Sequence, residues 1–187
     1  LDQLLFYLPL SGSAFKKVYY DAAKNRPVSK FIPAEDLLVP YNATDLLSAE
    51  RVTHVVSMSN NEVRKLQLSG FYADVELNDN DTISRDDIDK EIDKIQGVAP
   101  DYGDDEQRKL YEIHTVAEIE GFEDVDDMGE PTGLKIPYII TIDDSSQQIL
   151  SIRRNYIPED MYRNKINYFV QYKFLPGLGF YGLGLSH

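Results

Sequence analysis

The sequence contains no cysteine, only three histidines and no long apolar run. Without cysteine the chain has no disulfide, no thiolate nucleophile and no cysteine-based zinc site. This composition favours an intracellular origin over a small secreted scaffold. No stretch approaches the roughly 20 consecutive apolar residues of a transmembrane helix, so the sequence predicts no membrane span.

Positive charge is also scarce. The chain has 32 acidic and 19 basic residues, which gives a formal net charge of −13 and a pI near 4.6. Binding to nucleic-acid phosphates by simple attraction requires clustered Lys and Arg, so this balance argues against it. An acidic surface is still compatible with a protein past which DNA slides without binding.

Both ends of the sequence carry apolar runs. The first eight residues are mostly apolar, and the last twenty form an apolar strand followed by a glycine-punctuated tail. Contiguous exposed apolar surface normally marks a contact, so we expect a fragment of a larger protein whose function belongs to an assembly. The large apolar residues of the tail are Leu175, Leu178, Phe180, Tyr181, Leu183 and Leu185.

Local patterns predict an α+β fold, mainly antiparallel sheet with two modest helices. Ser59 and Glu62 fit a capping box, and Gly70 stops the helix that follows. A second helix is predicted over 84–96, with an apolar stripe of Ile88, Ile92 and Ile95. The remaining elements are a helix over 1–10, strands over 14–20, 28–32, 51–58 and 167–174, a short edge strand over 35–39, and a hairpin of 136–142 with 148–154.

One predicted strand runs from Leu110 to Ile119, and its residues alternate between two faces. Tyr111, Ile113 and Thr115 alternate with polar residues that include Glu112 and His114. Alternation of this kind gives one buried and one wetter face. The pattern therefore predicts that the side carrying Tyr111 and Ile113 is buried.

Signatures of catalysis are missing. The chain has no nucleophile elbow and no phosphate-binding loop. Residues 177–182 match the dinucleotide fingerprint literally, but no crossover unit follows them, so we interpret these glycines as a bend or a close backbone approach. His54 and His114 lie within strand patterns and are interpreted as packed or surface residues. The sequence therefore assigns no catalytic, cofactor-binding or metal-binding residue, and predicts a protein that is not an enzyme.

An acidic loop over residues 124–130 allows a second hypothesis, in which the chain does carry a metal-binding or catalytic site. Asp124, Asp126 and Gly129 occupy positions typical of a calcium-binding loop, but Lys135 stands where a bidentate Glu is required. An acidic hydrolase or calcium-binding domain using residues 124–130 therefore stays open as a second hypothesis, beside a solvated acidic loop.

Another motif is Arg153-Arg154-Asn155-Tyr156, which ends a predicted strand opposite an acidic turn. Cross-strand charge pairing and a specific interface, where Arg and Tyr are favoured, are both open. The candidate interface residues are Arg153, Arg154, Tyr156, Phe174, Leu178, Phe180 and Tyr181.

Six blocks carry a resemblance to a known family. They are SAFKKVYYD (13–21), RPV (26–28), FIPAEDLLVPY (31–41), NEVRK (61–65), IRRNY (152–156) and YKFLPGLGFYG (172–182). In this order, along nearly the whole chain, they resemble the portal protein of short-tailed bacteriophages and related prophages, the head-to-tail connector. None of the blocks is a catalytic signature.

The resemblance implies a structural role. The intact protein would be a homo-oligomeric ring of about a dozen subunits at one capsid vertex, through which DNA is packaged and ejected without specific binding. The ring would dock the terminase motor and the tail or scaffold proteins. Residues 1–187 would be one wing-type domain with a helical, acidic excursion at about 59–109. The resemblance also implies a virion protein that is assembled in the bacterial cytoplasm, without cofactor or membrane.

Overall fold

The computed structural model describes residues 2–21, 25–77, 107–126, 128–177 and 179–185. The chain divides into two compact units. Unit 1 comprises Leu1–Val55, Glu112–Ile140 and Arg153–His187, and unit 2 comprises Val56–Tyr111 and Thr141–Ile152. Much of the predicted excursion belongs to unit 2. The predicted helix over 84–96, with Ile88, Ile92 and Ile95, lies outside the described residues.

The predicted α+β class is confirmed, because the described residues form two α-helices and two mainly antiparallel sheets. One sheet has three strands in the order β2-β1-β8, and the other has five in the order β3-β4-β5-β6-β7. The elements are α1 (Asp2–Ser11), β1 (Ser13–Asp21), β2 (Arg26–Ile32), β3 (Leu37–Leu38), β4 (Arg51–Ser59), α2 (Asn60–Leu68), β5 (Gln107–Ala117), β6 (Ile136–Asp143), β7 (Ile149–Arg154) and β8 (Phe169–Lys173).

The core of unit 1 is built around β1. Phe15 stands opposite Ile32 of β2 and Gln171 of β8, and its ring stacks on Phe180 with centroids 5.8 Å apart. Burying large apolar side chains of this kind is the main driving force of folding. The buried members of this core are Phe15, Ile32, Leu37, Ala49, Val52 and Phe180.

Unit 2 has its own smaller core, formed by Val63, Tyr72, Leu110 and Leu150. The predicted start of α2 is confirmed, since the Ser59 hydroxyl accepts a hydrogen bond from the Glu62 backbone N–H at 3.3 Å. This bond satisfies one of the free N–H groups at the beginning of the helix.

The predicted edge strand over 35–39 is shorter in the structure. A 3₁₀ turn covers Ala34–Asp36, and only Leu37 and Leu38 form β3. These two residues pair with His54 and Thr53 at the edge of the five-stranded sheet. The flanking Pro33 and Pro40 explain the short length, because proline cannot donate to a sheet ladder.

The predicted orientation of β5 is wrong. Leu110 and His114 are buried, whereas Tyr111, Ile113 and Thr115 are only partly buried. The side that looked more polar in the sequence therefore faces inward. Burial of its polar groups is possible because they have hydrogen-bonding partners, which removes most of the desolvation penalty.

The tail over 179–185 is bonded to the rest of unit 1 through its backbone, while the large apolar residues Leu175, Leu183 and Leu185 stay 43–69% exposed. Leu183 forms a bridge with Leu175, and the Leu185 N–H donates to the Pro9 carbonyl at 2.8 Å. A Cβ added to Gly184 would lie 2.5 Å from the Leu10 carbonyl oxygen, so only glycine permits this approach. The interpretation of the glycines within 177–182 as a close backbone approach is confirmed for Gly182, where an added Cβ would lie 2.5 Å from the Gly12 carbonyl oxygen. It is not confirmed for Gly179, where an added Cβ would meet no atom within 4 Å.

Candidate functional site

The acidic loop is held by its own carboxylates. Asp124 is 3% exposed, and its Oδ1 accepts a hydrogen bond from Arg163 Nε at 2.7 Å. Its Oδ2 accepts from the Thr132 hydroxyl at 2.9 Å. Both oxygens of this carboxylate are therefore engaged with groups of the protein, and Asp124 fixes the loop to Arg163.

Asp126 has a similar internal role. Its Oδ1 accepts hydrogen bonds from the backbone N–H groups of Met128 and Glu130, both at 2.9 Å. A bridge between Val125 and Pro131 closes the same turn. Within the described ranges, no group of three or more His, Asp or Glu side chains is placed to hold a metal ion. The geometry of this loop thus gives no support to the calcium or hydrolase hypothesis.

The residues of the Arg153–Tyr156 motif have different surroundings. Arg154 is exposed and donates to the Glu123 carbonyl at 3.1 Å. Arg153 is partly buried, and its charge lowers the pKa values of Lys17 and His114. Arg154 therefore belongs to the surface, whereas Arg153 lies close to a buried polar cluster.

The other candidate interface residues lie in or near the tail. Phe180 is buried against Phe15 and belongs to the core, so this chain does not present it to a partner. Tyr181 is partly exposed, and its hydroxyl donates to the Leu37 carbonyl at 3.0 Å. Phe174 is partly buried, as is Tyr156, and Leu178 lies outside the described residues.

A different set of apolar side chains is exposed on α1 and the tail. Helix α1 is apolar on most sides yet buries only Leu4. The tail is attached to this helix through the Leu185–Pro9 hydrogen bond. We call this region the α1–tail surface, and its members are 43–69% exposed: Leu5, Phe6, Leu10, Leu175, Leu183 and Leu185. A helix that is apolar all round is usually buried, so this surface is the best candidate for a protein contact.

Unit 1 also contains a buried polar cluster, which we call the β5 cluster: Lys17, His54, Glu112 and His114. The Lys17 ammonium donates to both oxygens of Glu112 at 2.6 and 2.7 Å. His114 Nε2 lies 2.6 Å from Oε1 of the same carboxylate. Glu112 therefore receives bonds from β1 and from its own strand.

Aromatic rings surround the histidines of the β5 cluster. The ring of Phe169 lies 4.8 Å from that of His114 and 5.9 Å from that of His54, both edge to face. Tyr168 also contacts His114, with centroids 5.7 Å apart. His54 Nδ1 is buried and has no hydrogen-bond partner. The cluster thus connects β1, β4, β5 and β8 within unit 1.

Burial controls the protonation of these groups. Burial, reinforced by the charge of Lys17, lowers the pKa of His54 from 6.5 to about 4. Burial also lowers the pKa of His114, although Glu112 opposes this effect. Burial by itself would raise the pKa of Glu112, but the His114 hydrogen bond and the Lys17 charge outweigh it and hold this pKa well below its usual range. At neutral pH the cluster therefore contains one carboxylate, one ammonium and two neutral imidazoles.

The space beside the β5 cluster is too small for a substrate. A cavity of about 10 Å³ is lined by His114, Lys165, Tyr168 and Phe169, among others. This volume is enough for about one water molecule. The cluster is therefore a packing and pairing site, and its four side chains include no hydroxyl or thiol nucleophile.

Sequence reasoning missed the β5 cluster because the partners are distant along the chain. Lys17 and Glu112 are 95 positions apart. The available signal was the alternation of polar residues on β5, where Arg108, Glu112 and His114 share one face of the strand. The alternation predicts that this face is the wetter one, since no pattern in the sequence shows which strand supplies the countercharge.

Unit 2 has a buried ion pair of its own. Arg108 donates to Asp143 Oδ2 at 3.3 Å and to Asn60 Oδ1 at 2.6 Å. The same Asp143 oxygen accepts from the hydroxyl and the backbone N–H of Ser146. This network fixes the turn between β6 and β7 and the beginning of α2.

Comparison with protein-family models and with curated proteins finds no match for the chain. None of the described helices is long and apolar enough to cross a membrane.

Proposed function

We propose that this chain is the wing-type domain of a phage portal ring, a structural component without enzymatic activity. The observation that carries the proposal is the resemblance of six blocks, in order along the chain, to portal proteins of short-tailed phages. In the proposed ring, DNA passes through the channel without specific binding, and the motor and tail dock on the assembled protein in the virion.

The positions of the resembling blocks in the fold support the proposal. The block 13–21 is β1 and contains Phe15. The block 31–41 contributes Ile32 and Leu37, and the block 172–182 contributes Phe180. These four residues belong to the same buried core. A resemblance that falls on one core is expected of a shared fold, since core positions are restricted by packing.

The α1–tail surface supports an assembly role. Phe6 and Leu10 are four positions apart and lie on the same face of α1, and both are more than half exposed. Exposed apolar surface of this extent typically marks a protein contact. In a ring, each subunit would cover such a surface with a different surface of its neighbour.

The net charge agrees with this role. With a formal charge of −13, the chain repels rather than attracts the DNA backbone. Such a charge suits a protein that surrounds moving DNA and must not retain it.

The test is the solution mass of the full-length protein that contains this sequence, measured by light scattering over a range of concentrations. We expect a closed ring of about a dozen subunits. The variant Phe6→Asp with Leu10→Asp should reduce the mass to that of smaller species. The matched control Leu47→Asp changes another exposed apolar residue of unit 1 and should leave the ring intact. A protein that stays monomeric at every concentration would contradict the proposal.

A further inference from the structure

The β5 cluster holds β8 at a point where the three-stranded sheet meets β5 within unit 1. Lys17 stands opposite Phe169 in the β1–β8 register. Lys17 bonds to Glu112 of β5, and Phe169 contacts both histidines. Beside its backbone pairing with β1, β8 is therefore held at Phe169 by contacts with the two imidazole rings.

We propose that the β5 cluster is an acid-sensitive clamp: it holds β8 while His54 and His114 are neutral, and protonation of either imidazole releases Phe169 and loosens the β1–β8 pairing. This inference is independent of the portal proposal, because it concerns a conformational change within one chain.

The charge balance of the cluster explains the sensitivity. In the neutral arrangement the single carboxylate of Glu112 is matched by the single ammonium of Lys17. A proton on either imidazole adds a second positive charge in a site that is shielded from water. Buried charge without a matching countercharge is strongly unfavourable, so the protonated form favours an arrangement in which the rings reach solvent.

The neighbouring charged groups also make protonation of the two histidines unfavourable in the closed form. The charges of Lys17 on β1 and Lys30 on β2 lower the pKa of His54. The charges of Lys17 and Arg153, at the end of β7, act in the same direction on His114, and Lys165 lines the small cavity beside it. Among these groups Glu112 is the only anion, and it is already paired. An added proton would therefore join a predominantly cationic environment.

The two histidines differ in their hydrogen bonds. His114 donates its Nε2–H to Glu112 in the neutral form, because an ionised carboxylate only accepts hydrogen bonds. An added proton on His114 would therefore go to Nδ1, on the opposite side of the ring from this bond. His54 has a buried Nδ1 without a hydrogen-bond partner, so a proton on that atom has no acceptor in the closed form. Opening the clamp would expose this nitrogen to water and so relieve the penalty.

The test follows amide hydrogen exchange of β8 and α2 in the same sample between pH 8 and pH 5, corrected for the intrinsic pH dependence of exchange. Helix α2 belongs to unit 2 and serves as the internal reference. The protection of the β8 amides should fall by roughly 30-fold at pH 5. This factor follows from a His54 pKa of about 4 in the closed form and 6.5 in the open form. Protection of α2 should stay unchanged.

Two variants make the result decisive. The double variant His54→Gln with His114→Gln removes both titrating groups, while the Gln at 114 retains an amide donor for Glu112. It should keep the protection of β8 constant over the pH range. The control His187→Gln changes the third histidine and should behave like the parent protein. The proposal is overturned if β8 loses protection equally in the double variant, if its protection does not depend on pH, or if α2 and β8 lose protection together.

Discussion

The ammonium of Lys17 bonds to both carboxylate oxygens of Glu112 across 95 positions of the sequence, at 2.6 and 2.7 Å. The two side chains are only 14% and 15% exposed. This pair fixes β1 to β5 within unit 1. Because both side chains are largely removed from water, each charge is stable there only while the other balances it.

Removing one member of this pair should destabilise the protein strongly. Glu112→Gln leaves the Lys17 ammonium buried without a countercharge, which typically costs about 3–5 kcal/mol of unfolding free energy. The double variant Lys17→Met with Glu112→Gln should recover much of the loss. Urea denaturation of the parent, both single variants and the double variant measures the coupling between the two residues. A coupling near zero would show that the contact contributes nothing to stability.

The stability of unit 1, which contains His54, should fall as the pH decreases below about 6.5. Because the folded pKa of His54 is lowered to about 4, the stabilisation from keeping this group neutral is fully present above pH 6.5. It is lost progressively as the pH falls toward 4, and at pH 5 the loss is about 2 kcal/mol. Urea denaturation at pH 8 and pH 5 measures this change. His54→Phe should reduce the difference between the two pH values by a similar amount, and an unaltered difference would refute the assignment to His54.

Calcium should not alter thermal unfolding. Asp124 is bonded to Arg163 and Thr132, and Asp126 to backbone N–H groups. A specific ligand would raise the melting temperature by mass action. Scanning calorimetry with and without excess calcium, with Asp126→Asn as the comparison, checks this expectation. A calcium-dependent increase that Asp126→Asn abolishes would favour the calcium-binding hypothesis instead.

The tail should tolerate alanine at one glycine but not at another. A Cβ on Gly184 would meet the Leu10 carbonyl oxygen at 2.5 Å, whereas one on Gly179 would have no atom within 4 Å. Gly184→Ala should therefore destabilise unit 1 by about 1–3 kcal/mol or displace the tail from α1. Gly179→Ala should be close to neutral. Thermal unfolding and limited proteolysis of the two variants compare these outcomes, and equal behaviour would contradict the close approach.

Much of the local structure could be predicted from the sequence. The cap at Ser59 and the hairpin of β1 with β2 follow from signals within a few residues, because capping and turn chemistry are local. The buried face of β5 could not be predicted, since it depends on Lys17 and on Phe169, each far from Glu112 along the chain. The contact between Gly184 and Leu10 joins the two ends of the described chain, and no local pattern specifies it.

The central position of β1 in its sheet also affects the order in which the protein can form. β1 pairs on one side with β2, which follows it closely, and on the other side with β8. At a synthesis rate of about 5–20 residues per second, β8 leaves the ribosome roughly 10–30 s after β1. During that interval one edge of β1 has no strand partner, and an unpaired edge is open to association with other chains. Lys16 and Lys17 lie on this strand, and charged lysines on an open edge oppose such association. Lys17, which binds Glu112 in the folded protein, would thus also oppose association of the nascent chain before β8 is synthesised.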